Sequence, residues 1–449
     1  MNISEFVGDS RKVTYALGVG IALLVFIALI LVIRGSGIGG SSTQSADITV
    51  WGVFDDELKF NDAITAFEKD HKNINVTYRL IPYSEYEKTL LNALASNTGP
   101  DVLMIHHTWL PKHGDKLLPM PSKVPGTDVP LMTVRQFKEI FVDVAAADLI
   151  GNETLIYAMP LYVDTLALYT NKDALSAAGI TTPPKDWKEF QEDVVKLTQK
   201  DKNGAIVRAG ASMGTATNIN RASDILMMLM LQSGVQMVNA DGTQATFAHS
   251  VDNQPVGERS AQFYVDFANP KKSIYTWNDA MDYSIDAFAS GKSAMMINYA
   301  HQIDTVRQKS PRLNWSIAAI PQPPHDDTAV FNPITYANYW ALAVSKSSKS
   351  PNEAWEFVNF MTAGGGAIPY LTATNRPAAR RDLISQQKND PDLGVFAEQA
   401  LTARSWYQVD NLAVEKLFTD MINAINLNQA TFSDALRTVE SQVSVLMAR

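Results

Sequence analysis

Cysteine is absent from all 449 residues. This excludes disulfides, thiol nucleophiles, cysteine-ligated zinc and an anchor made by lipidating a cysteine. Positive charge is also scarce, with 38 Lys and Arg against 47 Asp and Glu and a formal charge of −9. Nucleic acid needs a basic face to neutralise its phosphates, so it is excluded as a partner. No long run of like charge and no internal repeat occurs. The composition is ordinary for a globular protein, 46% apolar and 19% charged. At this length one hydrophobic core is rarely enough, so two domains or lobes are expected.

One long apolar run stands at the N-terminus. From Tyr15 to Ile33 the chain reads YALGVGIALLVFIALILVI without a charge. As a helix it is roughly 28 Å long, close to the hydrocarbon thickness of about 30 Å. A cleaved signal peptide is the competing reading, but its apolar region is usually about 7–15 residues and ends in a small-x-small site. Here the run is longer, and Gln44-Ser45-Ala46 puts Gln where a small residue is wanted. The expectation is a cytoplasmic tail at 1–12, a single-pass transmembrane anchor at 13–34 and a flexible linker at 35–46 (GSGIGGSSTQSA). As a coil the linker spans about 20 Å. Arg11 and Lys12 precede the run and Arg34 alone follows. That bias places the N-terminus inside and the bulk of the chain outside the cytoplasm, in an extracellular or periplasmic space.

Beyond the linker two periods alternate. DITVWG (47–52), INVTYRLIPY (74–83) and DVLMI (101–105) read as strands, and the segments between them carry helical faces such as Leu58, Ile64 and Phe67. Ser84 with Glu87 has the spacing of a capping box. Strand–helix–strand–helix–strand predicts βαβ units on a parallel sheet, with ligand loops beyond the carboxyl ends of the strands. Those loops are VFDDE (53–57) and HHTWL (106–110), each joining an aromatic residue to polar groups. A plainer alternative is that Phe54 and Trp109 only cap the core. SAMMIN (293–298), WSIAAI (315–320) and YWALAV (339–344) read as buried strands, and the C-terminal part is helical.

Three motifs suggest other chemistry. Gly210-Ala211-Ser212-Met213-Gly214 fits the nucleophile elbow G-x-S-x-G, yet the turn-rich TATNIN follows where a helix should begin directly. A tight glycine turn with a structural Ser212 is expected instead. His106, His107 and His113 could suggest a metal, but adjacent residues of an extended chain point to opposite sides, so a polar loop is expected. The Met-rich SDILMMLMLQSG is read as core filler.

The order of segments resembles the extracellular solute-binding proteins of the sugar-binding family related to maltose-binding protein, the capture component of ABC importers. GPDVLMIHHTWL, IYAMPLYVDTLALYTNKDALSAAGITTPPKDWKEF, SGKSAMMINYAHQ and YWALAVSKSSKSPNEAWEFVNFMT with TNRPAARRDLI carry the likeness. It implies an α/β, two-lobed periplasmic-binding-protein-like (type II) fold behind the N-terminal helix. Lobe 1 would hold 47–160 and 331–385, and lobe 2 would hold 161–330 and 386–449. It implies a non-enzymatic, membrane-tethered receptor that binds a sugar or oligosaccharide between the lobes and delivers it to an ABC permease, without cofactor or metal. Carried over by motif, the ligand residues are Phe54, Asp55 and Glu57 after the first strand, His107 and Trp109 after the third, and Tyr162 and Asp164. Tyr299 and His301 follow MMIN, where relatives often have tryptophan; Trp340 sits where they read glycine-tryptophan-glycine; Arg404 and Trp406 come from the last cleft loop. The alternatives are a tethered binder of a polyol, polyol phosphate or peptide, and then an extracellular serine hydrolase.

Overall fold

The computed structural model describes residues 45–123, 131–151, 154–325 and 331–448. The anchor expected at 13–34, the tail before it and most of the linker lie outside the described residues. Among those described, no helix is long and apolar enough to cross a membrane.

The first lobe is built as the hydrophobic periods require. Strand β1 (Ala46–Gly52), helix α1 (Glu57–Asp70), strand β2 (Ile74–Leu80), helix α2 (Tyr83–Ala95) and strand β3 (Val102–His106) follow in order. β1 pairs in parallel with β2 and β3. The sheet is not parallel throughout: Trp340–Ser345 returns antiparallel beside β3 and also pairs with Ala158–Pro160 and Leu117–Leu118. The expected capping box of α2 is absent. The helix starts at Tyr83 behind Pro82 with no side-chain cap, and Glu87 reaches His113 instead.

The second lobe has a smaller antiparallel sheet, Met295–Asn298, Ala167–Asn171 and Trp315–Ala318. The last of these is half-buried along its length, not fully buried as its composition suggests. Around the sheet pack helices Ala222–Gln232, Asn411–Asn426 and Phe432–Met447. In Ala222–Gln232 every residue from Ala222 to Met230 is buried, so its methionines fill core. Both glycines of the G-x-S-x-G stretch have packing reasons. A Cβ on Gly210 would strike the backbone of Val194, and Gly214 has φ +113 against the backbone of Ala268. Ser212 is buried and donates to Ser293 Oγ at 2.9 Å.

The two cores divide at three crossings. One core takes residues up to Val163 and resumes at Ala337, and the other begins at Leu166 and includes Tyr336 and Trp406. Asp164–Thr165 pairs with Ala337–Asn338. The third crossing joins them, with the Arg404 N–H donating to Thr335 O and the Ala337 N–H to Arg404 O, each at 2.9 Å. Helix Gly394–Ala400 touches both sides: Ala397 and Ala400 pack with the first core, while Phe396 packs beside Tyr169 of the second sheet.

Candidate ligand cleft

The loops at the carboxyl ends of β1 and β3 open onto a cleft of about 410 Å³ between the lobes. On the first-lobe wall, β1 ends in a turn that puts Phe54 at φ +64, a region non-glycine residues seldom enter. Its ring is 54% exposed. It stacks on Tyr83 at 5.1 Å and meets Trp340 edge-on at 5.9 Å. Trp340 is itself buried under Tyr86, His106 and Trp109, with centroids at 5.8, 5.5 and 5.2 Å. Phe54 and Tyr83 therefore offer aromatic faces to the cleft, and Trp340 stiffens them from below.

Beside this face Asp55 accepts from Arg376 Nη2 and Tyr370 Oη, both at 2.8 Å. The guanidinium lies 4.4 Å from the Tyr162 ring centre. Burial opposes the charge on Arg376, but Tyr162, Tyr370 and Asp55 around it lift its pKa above the ordinary guanidinium value, so the guanidinium stays charged. Its Nε is buried without a partner. His106 is held neutral: burial first, then His107 and Arg221, push its pKa well below the usual imidazole value. A neutral ring with Nε2 3.3 Å from Asn338 Oδ1 donates there, leaving Nδ1 to accept from Thr108 Oγ1 at 2.9 Å.

The second-lobe wall is organised by Arg221, a left-handed residue (φ +62) capping helix Ala222–Gln232. Its Nε and Nη2 donate to Asp224 at 2.9 and 2.7 Å, and Nη1 donates to Glu415 at 3.2 Å. Tyr299 Oη donates to the same Asp224 carboxylate at 2.6 Å. His301 stacks on Tyr299 at 5.7 Å and stays 41% exposed to the cleft. Asn220, Asn338 and Asn411 add amides.

Of the residues expected from sequence, Phe54, Asp55, Tyr162, Asp164, Tyr299, His301 and Trp340 line this cleft. The expectation that Asp164 holds ligand hydroxyls is revised. Its side chain is 1% exposed. It accepts the N–H groups of Thr165 (2.9 Å), Ala300 (2.8 Å) and His301 (3.2 Å) and meets His301 Nδ1 at 3.2 Å. Its lone pairs are used to hold the turn that carries His301. Trp109 is buried behind Trp340, with Nε1 donating to Asn411 Oδ1 at 3.0 Å. Glu57 is an exposed residue in the first turn of α1, outside the cleft. His107, Arg404 and Trp406 line a different hollow of about 380 Å³. There His107 Nδ1 lies 3.1 Å from Asp148, which also accepts from Tyr339 and Ser405. The rings of His106 and His107 stay in contact at 4.3 Å, but His106 borders the cleft while His107 lines the other hollow.

Sequence reasoning placed His106 only within the loop 106–110, and it missed Tyr83, Arg376, Asn220, Arg221, Asn338 and Asn411. Arg376 stands inside TNRPAARRDLI, a stretch that carried the family likeness, so its position was readable even though its role was not. Asn220 ends the turn-rich TATNIN and Arg221 follows it, where no local pattern marks a site.

The sequence profile of the bacterial extracellular solute-binding proteins matches residues 52–367. The maltodextrin-binding protein MdxE of Bacillus subtilis is 23% identical over 446 residues, 94% of this chain and 97% of that protein. The sn-glycerol-3-phosphate-binding periplasmic protein UgpB of Yersinia enterocolitica is 24% identical over 330 residues, 70% of each. Among solved structures, the sugar-binding protein MalE from Xanthomonas citri superposes with a TM-score of 0.72 at 18% identity, covering 90% of this chain and 97% of that one. At that identity the likeness is one of fold: two lobes of type II.

Proposed function

We propose that this chain, which belongs to the bacterial extracellular solute-binding protein family, captures an uncharged sugar or short oligosaccharide between its lobes and passes it to an ABC permease. The observation that carries this reading is an exposed aromatic face set among charges that are already neutralised. Phe54 and Tyr83 can cover the C–H face of a sugar ring, while His301 and the amides of Asn220, Asn338 and Asn411 serve its hydroxyls. Arg376 is paired with Asp55, and Arg221 with Asp224 and Glu415. A phosphate would find no unpaired guanidinium here, which favours a neutral ligand over a polyol phosphate. The chain's work is binding without chemistry, held at the membrane by the apolar helix at 13–34 with its lobes outside the cytoplasm.

A thermal-shift series with maltotetraose, mannobiose, glycerol 3-phosphate and a mixed tripeptide tests the reading. A ligand that binds only the folded state raises the melting point by mass action, about 2.7 kcal/mol of added stability at a hundredfold excess over Kd. A rise with a neutral glycan, recovered intact afterwards, is expected. A rise confined to glycerol 3-phosphate or the peptide overturns the sugar reading.

A further inference from the structure

Donors and acceptors are unevenly left over in the cleft. The carboxylates in and under its walls are occupied. Asp55 accepts from Arg376 and Tyr370. Asp164 accepts three backbone N–H groups and meets His301 Nδ1. Asp224 accepts from Arg221 and Tyr299, and Asn220 Oδ1 is buried. Donors remain free. His106 Nε2–H donates to Asn338 Oδ1 at 3.3 Å, so Asn338, which lines the cleft, keeps its N–H₂ group for whatever enters. Arg376 gives Nη2 to Asp55, and no described residue accepts from its Nη1. An acceptor stands beside these donors. His301 Nδ1 faces the Asp164 carboxylate, which only accepts, so the neutral ring leaves Nε2 open to a donor. Asp164 is also the strand partner of Asn338, which sets the Asn338 amide and the His301 ring on either side of one carboxylate. All of these bonds lie within one lobe or at the crossing strands, so the count does not change with the angle between the lobes.

We propose that the sugar taken by this cleft carries an acetamido group, its carbonyl on the Asn338 N–H₂ and its N–H on His301 Nε2. The inference rests on the sugar reading above and narrows it to N-acetylated hexoses, free or in a short oligosaccharide. A hydroxyl brings a hydrogen that must find an acceptor, and each one left over in a dry cleft lowers affinity. A planar amide brings a carbonyl for the spare donors and a single N–H for the one ring nitrogen. Its methyl suits the stacked faces of Phe54 and Tyr83. A carboxylate, as in a uronic acid, also serves spare donors. It has no N–H for His301, however, and brings charge to guanidiniums already paired with Asp55 and Asp224. Asn338 and His301 are thus the residues that set specificity.

Sugars matched except for this group provide the test: N-acetylglucosamine with glucose, N-acetylgalactosamine with galactose, N-acetylmannosamine with mannose, and N,N′-diacetylchitobiose with cellobiose. Isothermal titration of the full chain should find a pair whose acetamido member binds about 10- to 100-fold more tightly, the worth of one or two hydrogen bonds. Asn338→Asp keeps an oxygen for the His106 N–H and turns the N–H₂ into an acceptor, so that preference should fall below about 3-fold. His301→Phe keeps a ring, removes Nε2 and should lower the preference in the same direction. Melting curves of the unliganded variants check that each folds, and the comparison in the parent decides the proposal without them. A plain sugar that binds as tightly as its acetamido partner overturns the proposal and leaves the sugar reading standing. Tighter binding of glucuronic acid overturns it in favour of a carboxylate. Silence from every acetamido sugar overturns it too, and the glycans of the thermal-shift series then show whether the sugar reading stands. A folded variant that keeps the full preference overturns the role given to its residue.

Discussion

Asp164 and Phe54 both face the cleft and do opposite work. The Asp164 carboxylate satisfies three backbone N–H groups in a buried turn. Each buried donor left without an acceptor costs about 1–3 kcal/mol. Asp164→Ala should therefore lower the urea midpoint of the unliganded protein strongly, by about 3 kcal/mol of stability in all. A midpoint within error of the parent would return Asp164 to the role of ligand carboxylate. Phe54 holds a half-exposed ring on a backbone conformation that costs about 1–3 kcal/mol for a non-glycine residue. Phe54→Gly relieves that cost while losing the ring contacts, so stability should change by less than about 1 kcal/mol. Affinity for the glycan that binds should fall about 3- to 10-fold, the worth of one aromatic contact. Isothermal titration checks this, and unchanged affinity would remove Phe54 from the site.

Among the elements, those of the first hundred lobe residues were readable because β1, β2 and β3 are apolar runs and α1 repeats every third or fourth residue. Their ends were less so. Glu87 had the spacing of a cap but found a partner 26 residues away, which no local pattern announces. That partnership has a pH signature. The hydrogen bond from His113, followed by Lys112, lowers the Glu87 pKa to about 2 against the resistance of burial. A carboxylate depressed in the folded state contributes stability that is complete above its unfolded pKa of about 4.3 and is lost as pH falls toward 2. Glu87→Gln should flatten the loss of melting temperature between about pH 4.3 and 2 relative to the parent. Parallel curves over that range would show that the pair contributes nothing to acid stability.

The described residues form two lobes on three crossings, and the apolar run at 15–33 before them is the attachment we propose. If that run is retained, membranes from expressing cells should keep full-length protein through salt and alkaline washes. A mature chain beginning near residue 46, measured by intact mass, would sink the anchor and leave the lobes free.

Composition and periodicity alone determined a great deal. No cysteine chemistry, two lobes of alternating strands and helices, and an N-terminal segment of membrane length all follow from residue content and spacing, because burial and backbone pairing obey short-range rules. The family resemblance, not composition, pointed to Phe54, Asp55, Tyr162, Tyr299, His301 and Trp340, and these line the cleft. Tertiary structure decided the rest. It sent His107, Arg404 and Trp406 to another hollow, occupied Asp164 with the backbone, and brought Arg376 and Arg221 into the walls. Whether a polar side chain meets a ligand or a neighbour depends on which donors and acceptors the fold places within about 3 Å of it. Those partners lie up to 321 residues away along the chain, as Asp55 and Arg376 do.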